Sequence, residues 1–128
     1  MVCPDGWHLP TDEEWKILEK NQGMSNSDAD ADGDRNSVTV GGKLKETGTA
    51  HWYTNSGATN ESNFTALPCG CRGFYGDFLN LGQYTSFWSS SEAEASEAWS
   101  RNVSLDEAGV MRWSDYRSNG FSVRCLKD

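Results

Sequence analysis

The sequence predicts an α+β domain in which one N-terminal helix is followed by long irregular connections and a C-terminal antiparallel sheet. Three observations carry that expectation. Thr11 followed by Glu14 has the spacing of a capping box and opens a short amphipathic segment. Residues 98–105 alternate apolar and polar side chains with the two-residue period of a strand. Between these two regions lies a run rich in Gly, Asn, Ser and Thr that has no hydrophobic periodicity.

The elements follow in chain order. Cys3-Pro4-Asp5-Gly6 is turn chemistry, and Pro10 biases Leu9 away from helix, so residues 7–10 run extended. A helix is expected over residues 12–20, closing before Gly23. Asp12, Glu13 and Glu14 sit favourably at its positive end, and Trp15 and Leu18 share one face. Residues 24–37 read as an exposed loop. Trp52, Tyr53 and Phe64 are the expected anchors of the polar stretch that follows, and Gly70, Gly73 and Gly76 punctuate a turn-rich segment.

Strand character begins at Phe87-Trp88. In residues 98–105, Trp99, Val103 and Leu105 share one face and Ser100, Asn102 and Ser104 the other, with Arg101 the exception on the apolar side. Asp106-Glu107-Ala108-Gly109 is a hairpin connection into Val110–Trp113, and a last strand is expected over Phe121–Cys125 after Asn119-Gly120.

Composition bounds the function. The 128 residues suit one domain. Leu, Ile, Val and Phe supply only 20 of them, so the six Trp, four Tyr and five Phe must build much of the core. Trp7, Trp15, Trp88 and Trp99 are assigned to it. Eleven Lys and Arg against 19 Asp and Glu leave a net charge of −8 with no basic cluster, which argues against nucleic acid and anionic membranes as partners. No apolar run is long enough to span a bilayer, and nothing at Met1 resembles a signal peptide. Cys3, Cys69, Cys71 and Cys125 form no pair of CxxC motifs and, with only His8 and His51 beside them, make a poor zinc set.

Two stretches, Cys-Pro-Asp-Gly-Trp-His-Leu-Pro-Thr-Asp-Glu-Glu-Trp at 3–15 and Gly-Phe-Ser-Val-Arg-Cys at 120–125, resemble the Fibrobacter succinogenes major paralogous domain family. Gly-Gly-Lys-Leu-Lys at 41–45, Phe-Thr-Ala-Leu-Pro at 64–68 and Phe-Trp-Ser-Ser-Ser-Glu at 87–92 fit it in the same order. The resemblance implies a C-type-lectin-like fold related to the formylglycine-generating enzymes. It also implies an exported or cell-surface bacterial protein without enzymatic activity. Because family members carry a segment before the Cys-Pro motif, residues 1–128 are expected to be a minimal domain or the C-terminal part of a longer protein.

Residues 87–125 also resemble the variable region of diversity-generating-retroelement target proteins, which display a hypervariable binding face on a lectin-like scaffold. Carried over by position, that face comprises Arg112, Trp113, Ser114, Asp115, Tyr116, Arg117 and Ser118. Tyr, Trp and Arg beside short polar residues suit recognition of a protein or glycan. An ordinary hairpin surface with Trp113 in the core is the alternative. Neither Glu-Pro-Asn nor Gln-Pro-Asp occurs, so calcium-dependent sugar binding of the lectin type lacks its motif.

In the lectin-like fold the chain ends lie on neighbouring strands, which implies a Cys3–Cys125 disulfide; buried free thiols are the alternative. The bond would contribute about 4–5 kcal/mol by loop entropy. The pairing of Cys69 and Cys71 stays open. Asp28, Asp30, Asp32 and Asp34 alternate around Gly33 like the first half of a calcium loop, although Thr39 stands where the bidentate glutamate belongs. Ca²⁺ is therefore the one cofactor to test, against a solvated acidic loop. The enzymatic alternative is a thiol-redox activity of Cys69 and Cys71, since the formylglycine-generating relatives use a cysteine pair. His8 reads as structural, and the sequons at Asn60, Asn63 and Asn102 are assigned no role.

Overall fold

The computed structural model describes residues 2–128. Its elements are β1 (Trp7–His8), α1 (Asp12–Asn21), α2 (Asn26–Asp30), α3 (Val40–Leu44), β2 (Cys71–Arg72), β3 (Phe78–Leu79), β4 (Tyr84–Glu94), β5 (Glu97–Ser104), β6 (Met111–Tyr116) and β7 (Leu126–Lys127). The α+β expectation holds. Strands β4, β5 and β6 form one antiparallel sheet in chain order, with Phe87 opposite Arg101 and Arg101 opposite Arg112. β1 pairs with β7 and β2 with β3 as two-residue ladders.

Helix α1 has the capping box its sequence announces: the Thr11 hydroxyl accepts from the Glu14 amide, and the Glu14 carboxylate accepts from the Thr11 amide at 2.8 Å. Its inner face packs on the sheet through Trp15. Trp15, Phe64 and Phe87 form a ring cluster with centroids 5.3–5.8 Å apart. Trp52, Leu44, Val40, Val103 and Val110 complete the core around it.

Two helices stand where the sequence suggests loop. Ser25 caps α2 by accepting from the Asp28 amide, and the turn buries Ala29 completely. α3 contains Gly41 and Gly42, residues poor in helix propensity. They are there for close approach: a Cβ on Gly41 would overlap the Gly109 carbonyl, and one on Gly42 would overlap that of Gly57. Tertiary contact thus overrides propensity at this point. The helix ends at Lys45, whose ammonium is buried and donates 2.8 Å hydrogen bonds to the carbonyls of Ser56, Ser104 and Glu107. Burial lowers its pKa to about 8, so it stays mainly charged at neutral pH and clamps the loop after β5.

Several expectations need correction. Trp7 is not core: β1 is a surface ladder, and the indole is 41% exposed. Trp88 and Trp99 are half-buried, the first stacked on Phe121 at 4.4 Å and the second beneath the Arg112 guanidinium at 3.5 Å. Tyr53 is exposed, leaving Trp52 and Phe64 as the anchors of their stretch. Residues 121–125 form no continuous strand. Ser122 makes one parallel bridge to Phe87, exchanging hydrogen bonds with Trp88 and Ser86, and the ladder resumes only in β7.

Cys3 and Cys125 form a disulfide with Cα atoms 5.9 Å apart, as the lectin-like resemblance implied. It lies beside the β1–β7 ladder, where His8 bridges Asp128 at 2.6 Å and Glu14 at 2.9 Å. These carboxylates raise the His8 pKa above its ordinary value.

Candidate functional site

The two faces of the β4–β5–β6 sheet are both covered, by different chemistry. On the helix side Arg101 emerges from an otherwise apolar stripe because two carboxylates of α1 await it. Its guanidinium donates to Glu19 at 2.6 Å and to Asp12 at 2.8 Å. Arg35 reaches the same Glu19 from the other side, at 2.6 and 3.0 Å. Arg112 grips Asp12 at 2.8 and 3.0 Å and extends to Asp32 and the Asp30 carbonyl. Burial would raise the Asp12 pKa, but the hydrogen bonds and charges of Arg112 and Arg101 overcome it and hold the group at about 2.

That network takes Arg112 out of the expected binding face. Only 6% of it is exposed, and its donors are spent on Asp12, Asp32 and the Asp30 carbonyl. The strand period explains the split: Arg112 turns to the helix side, while Trp113 and Asp115 turn to the other. Ser114 bonds Glu97, and Arg117 pairs with Glu92 at 3.0 Å. Trp113, Tyr116, Arg117 and Ser118 are exposed.

The opposite face of the sheet forms the floor of a cleft of about 260 Å³. Trp113 and Asp115 line it, together with Tyr84, Ser86, Asn102 and Phe121. Cys71, Gly73 and Asn119 close it from the side of the β2–β3 hairpin. Ser86 and Asn102 are directly opposite in the β4–β5 register, so both project to the same place. Each is 1% exposed; Asn102 Oδ1 has no hydrogen-bond partner among the described residues, and Ser86 Oγ has none within 3.5 Å, its neighbour being the Tyr84 phenol. Asn102 Nδ2 donates to Ser100 Oγ at 3.0 Å, and Ser100 donates to Asp115 Oδ2 at 2.6 Å. Burial pushes the Tyr84 phenol up to about 12, so it remains protonated. Phe74, Tyr75 and Phe78 stand exposed on the hairpin between and beside β2 and β3, and Phe74 approaches Tyr116 at 6.4 Å between centroids.

Of the residues lining this cleft, the face expected from the sequence includes Trp113 and Asp115 but not Ser86, Asn102, Tyr84 or Phe121. A signal existed. Ser100, Asn102 and Ser104 form a polar stripe on a strand flanked by partners, where solvent exposure is not the default.

The four aspartates after α1 do not converge. Asp28 accepts from Ser25, Asp30 pairs with Lys16 at 2.9 Å, and Asp32 pairs with Arg112. The expected half-loop is instead partly α2, with Asp30 and Asp32 directed at cations. Among the described residues no group of three or more His, Cys, Asp or Glu is arranged to hold a metal ion. Cys69 and Cys71 are free thiols that line different clefts, separated by Gly70 at φ +67°. Burial raises the Cys71 pKa, and Asp115 adds to that.

Fold and site define a small α+β domain with a polar, ring-flanked cleft over its sheet. The family model of the Fibrobacter succinogenes major domain matches residues 1–127, and the chain belongs to that family. No curated protein and no solved structure matches it. Among the described residues no helix is long and apolar enough to cross a membrane.

Proposed function

We propose that this domain is a non-enzymatic extracellular recognition module, C-type-lectin-like in fold, that binds a protein or glycan ligand with the surface built on β5, β6 and the turn after them. One observation carries the reading. The cleft ends on buried polar groups, with the Asn102 amide oxygen unpartnered, and is rimmed by exposed rings, which is how a site looks that awaits polar and aromatic contacts from outside. The disulfide and the family support an exported setting. The separation of Cys69 from Cys71 and the raised Cys71 pKa weigh against thiol chemistry.

The test is a screen of glycans and extracellular proteins followed by alanine substitution of Trp113, Asp115, Tyr116 and Arg117. Loss of binding in these variants, with unchanged melting temperature, supports the face. Binding that survives all four removes it. The resemblance to retroelement-diversified proteins adds a genomic test: a nearby imperfect copy of the codons for residues 87–125, differing mainly at adenines. An invariant gene without that copy leaves an undiversified module.

A further inference from the structure

We propose that the cleft over β4, β5 and β6 receives a cationic group, the ammonium or guanidinium of a lysine- or arginine-like side chain on a protein partner. This rests on the reading of that face as a recognition surface and adds the chemistry of what it takes.

The direction of the hydrogen bonds on the cleft floor decides the matter. Ser100 has one hydroxyl proton and places it on Asp115 Oδ2 at 2.6 Å, an ionised carboxylate having none to give back. Ser100 Oγ is therefore an acceptor toward Asn102, and the Asn102 amide must present Nδ2 to it at 3.0 Å. That fixes Asn102 Oδ1 as a buried acceptor without a donor, with Ser86 Oγ and its neighbour the Tyr84 phenol beside it. The second oxygen of Asp115 takes no part in the relay.

The cleft thus presents the Asp115 carboxylate over a floor in which the Asn102 amide oxygen and the Ser86 hydroxyl are buried, and its lining includes no Lys or Arg. An incoming N–H donor satisfies acceptors whose isolation is costly. A positive charge also gains from Asp115 and from the aromatic side chains of Tyr84, Trp113 and Phe121 that line the cleft. The net charge of −8 draws such groups and repels anions. A neutral sugar could donate hydroxyl protons to the same atoms but leaves the carboxylate without a counter-charge. A volume of about 260 Å³ suits the end of one side chain.

The experiment uses the oxidised full chain and follows the Asn102 side-chain amide and Trp113 indole NMR signals. The probes are N-acetyl-lysine methylamide and N-acetyl-arginine methylamide, with N-acetyl-norleucine methylamide and methyl glycosides as neutral comparators. Saturable shifts with the cationic probes alone are expected, weakened about tenfold or more in Asp115→Asn. That variant keeps an acceptor for Ser100, and Trp113→Ala is a second, exposed site at which binding should fall. Equal binding of the norleucine probe, or undiminished affinity in Asp115→Asn, overturns the inference. Shifts with a glycoside but not with the cations overturn it while sparing the recognition reading. If neither these probes nor any screened glycan or protein moves the two signals, both readings fail.

Discussion

Replacing Glu19 by Gln should be among the most damaging single changes on α1, although the side chain keeps its size. Glu19 is fully buried and is the shared acceptor of Arg35 and Arg101, with three contacts of 2.6–3.0 Å. Arg35 is also buried, and its remaining bonds go to the Val110 and Ala29 carbonyls among neutral acceptors. The glutamine removes the negative charge both arginines share; its carbonyl oxygen still accepts at the Oε1 position, but its NH₂ group then faces the Arg35 Nη1 donor where Oε2 accepted. Breaking a buried pair from one side costs about 3–5 kcal/mol. For a domain with a stability of about 5–15 kcal/mol that is a large fraction. In urea, with an m-value of about 2 kcal/mol/M, the midpoint should fall by roughly 1.5–2.5 M. The assay is equilibrium unfolding by tryptophan fluorescence with the disulfide intact. Adding Arg35→Met should recover part of the loss, because it removes the stranded charge. A Glu19→Gln loss below about 1 kcal/mol would refute the view that the network is a coupled, desolvated unit.

Acid should act through Asp12. Its folded pKa of about 2 lies below the ordinary 3.8, so its contribution is present above pH 3.8 and is lost as pH falls through about 2. Stability measured across that window should decline, and less steeply in Asp12→Asn. His8 should titrate above 6.5 by NMR, and Asp128→Asn should bring it down; a latch with a raised pKa contributes below 6.5 and weakens as pH rises through the folded value. Gly41→Ala should cost about 3 kcal/mol or more, because the methyl meets backbone that cannot swing aside, and a melting temperature within a few degrees of the parent would contradict the close approach. Excess Ca²⁺ against chelator should leave the melting temperature unchanged, since Asp30 and Asp32 already face Lys16 and Arg112; a rise would restore the calcium reading.

Local signals in the sequence were legible and long-range ones were not. The Thr11–Glu14 box marks α1 to within a residue because both partners lie in one turn. The alternation in residues 98–105 separates the faces of β5, Arg101 included. What Arg101 does there could not be read, since its partner Asp12 is 89 positions away. The same distance effect misassigned Arg112, whose place beside Trp113 and Tyr116 looks like a recognition loop until Asp12, 100 positions back, claims it. Gly41-Gly42 falls in the Gly-rich stretch expected to be irregular because propensity is local, while the carbonyls that demand glycine belong to residues 57 and 109. Ser86 and Asn102 escaped notice because a polar residue on a strand is first assumed to face water.

The junction of Cys3 with Cys125 has a mechanical side. Tension entering the chain at Cys3 and leaving at Cys125 crosses one covalent link between Cα atoms 5.9 Å apart. The 121 residues between them, cleft and charged network included, lie on a loop off that load path, because the two cysteines are separated by 122 positions. Under oxidising conditions the domain is therefore inextensible when pulled from its ends, and the cleft is shielded from the strain along the strand. Reduction transfers the load to the two-residue ladder of β1 and β7, which would peel first.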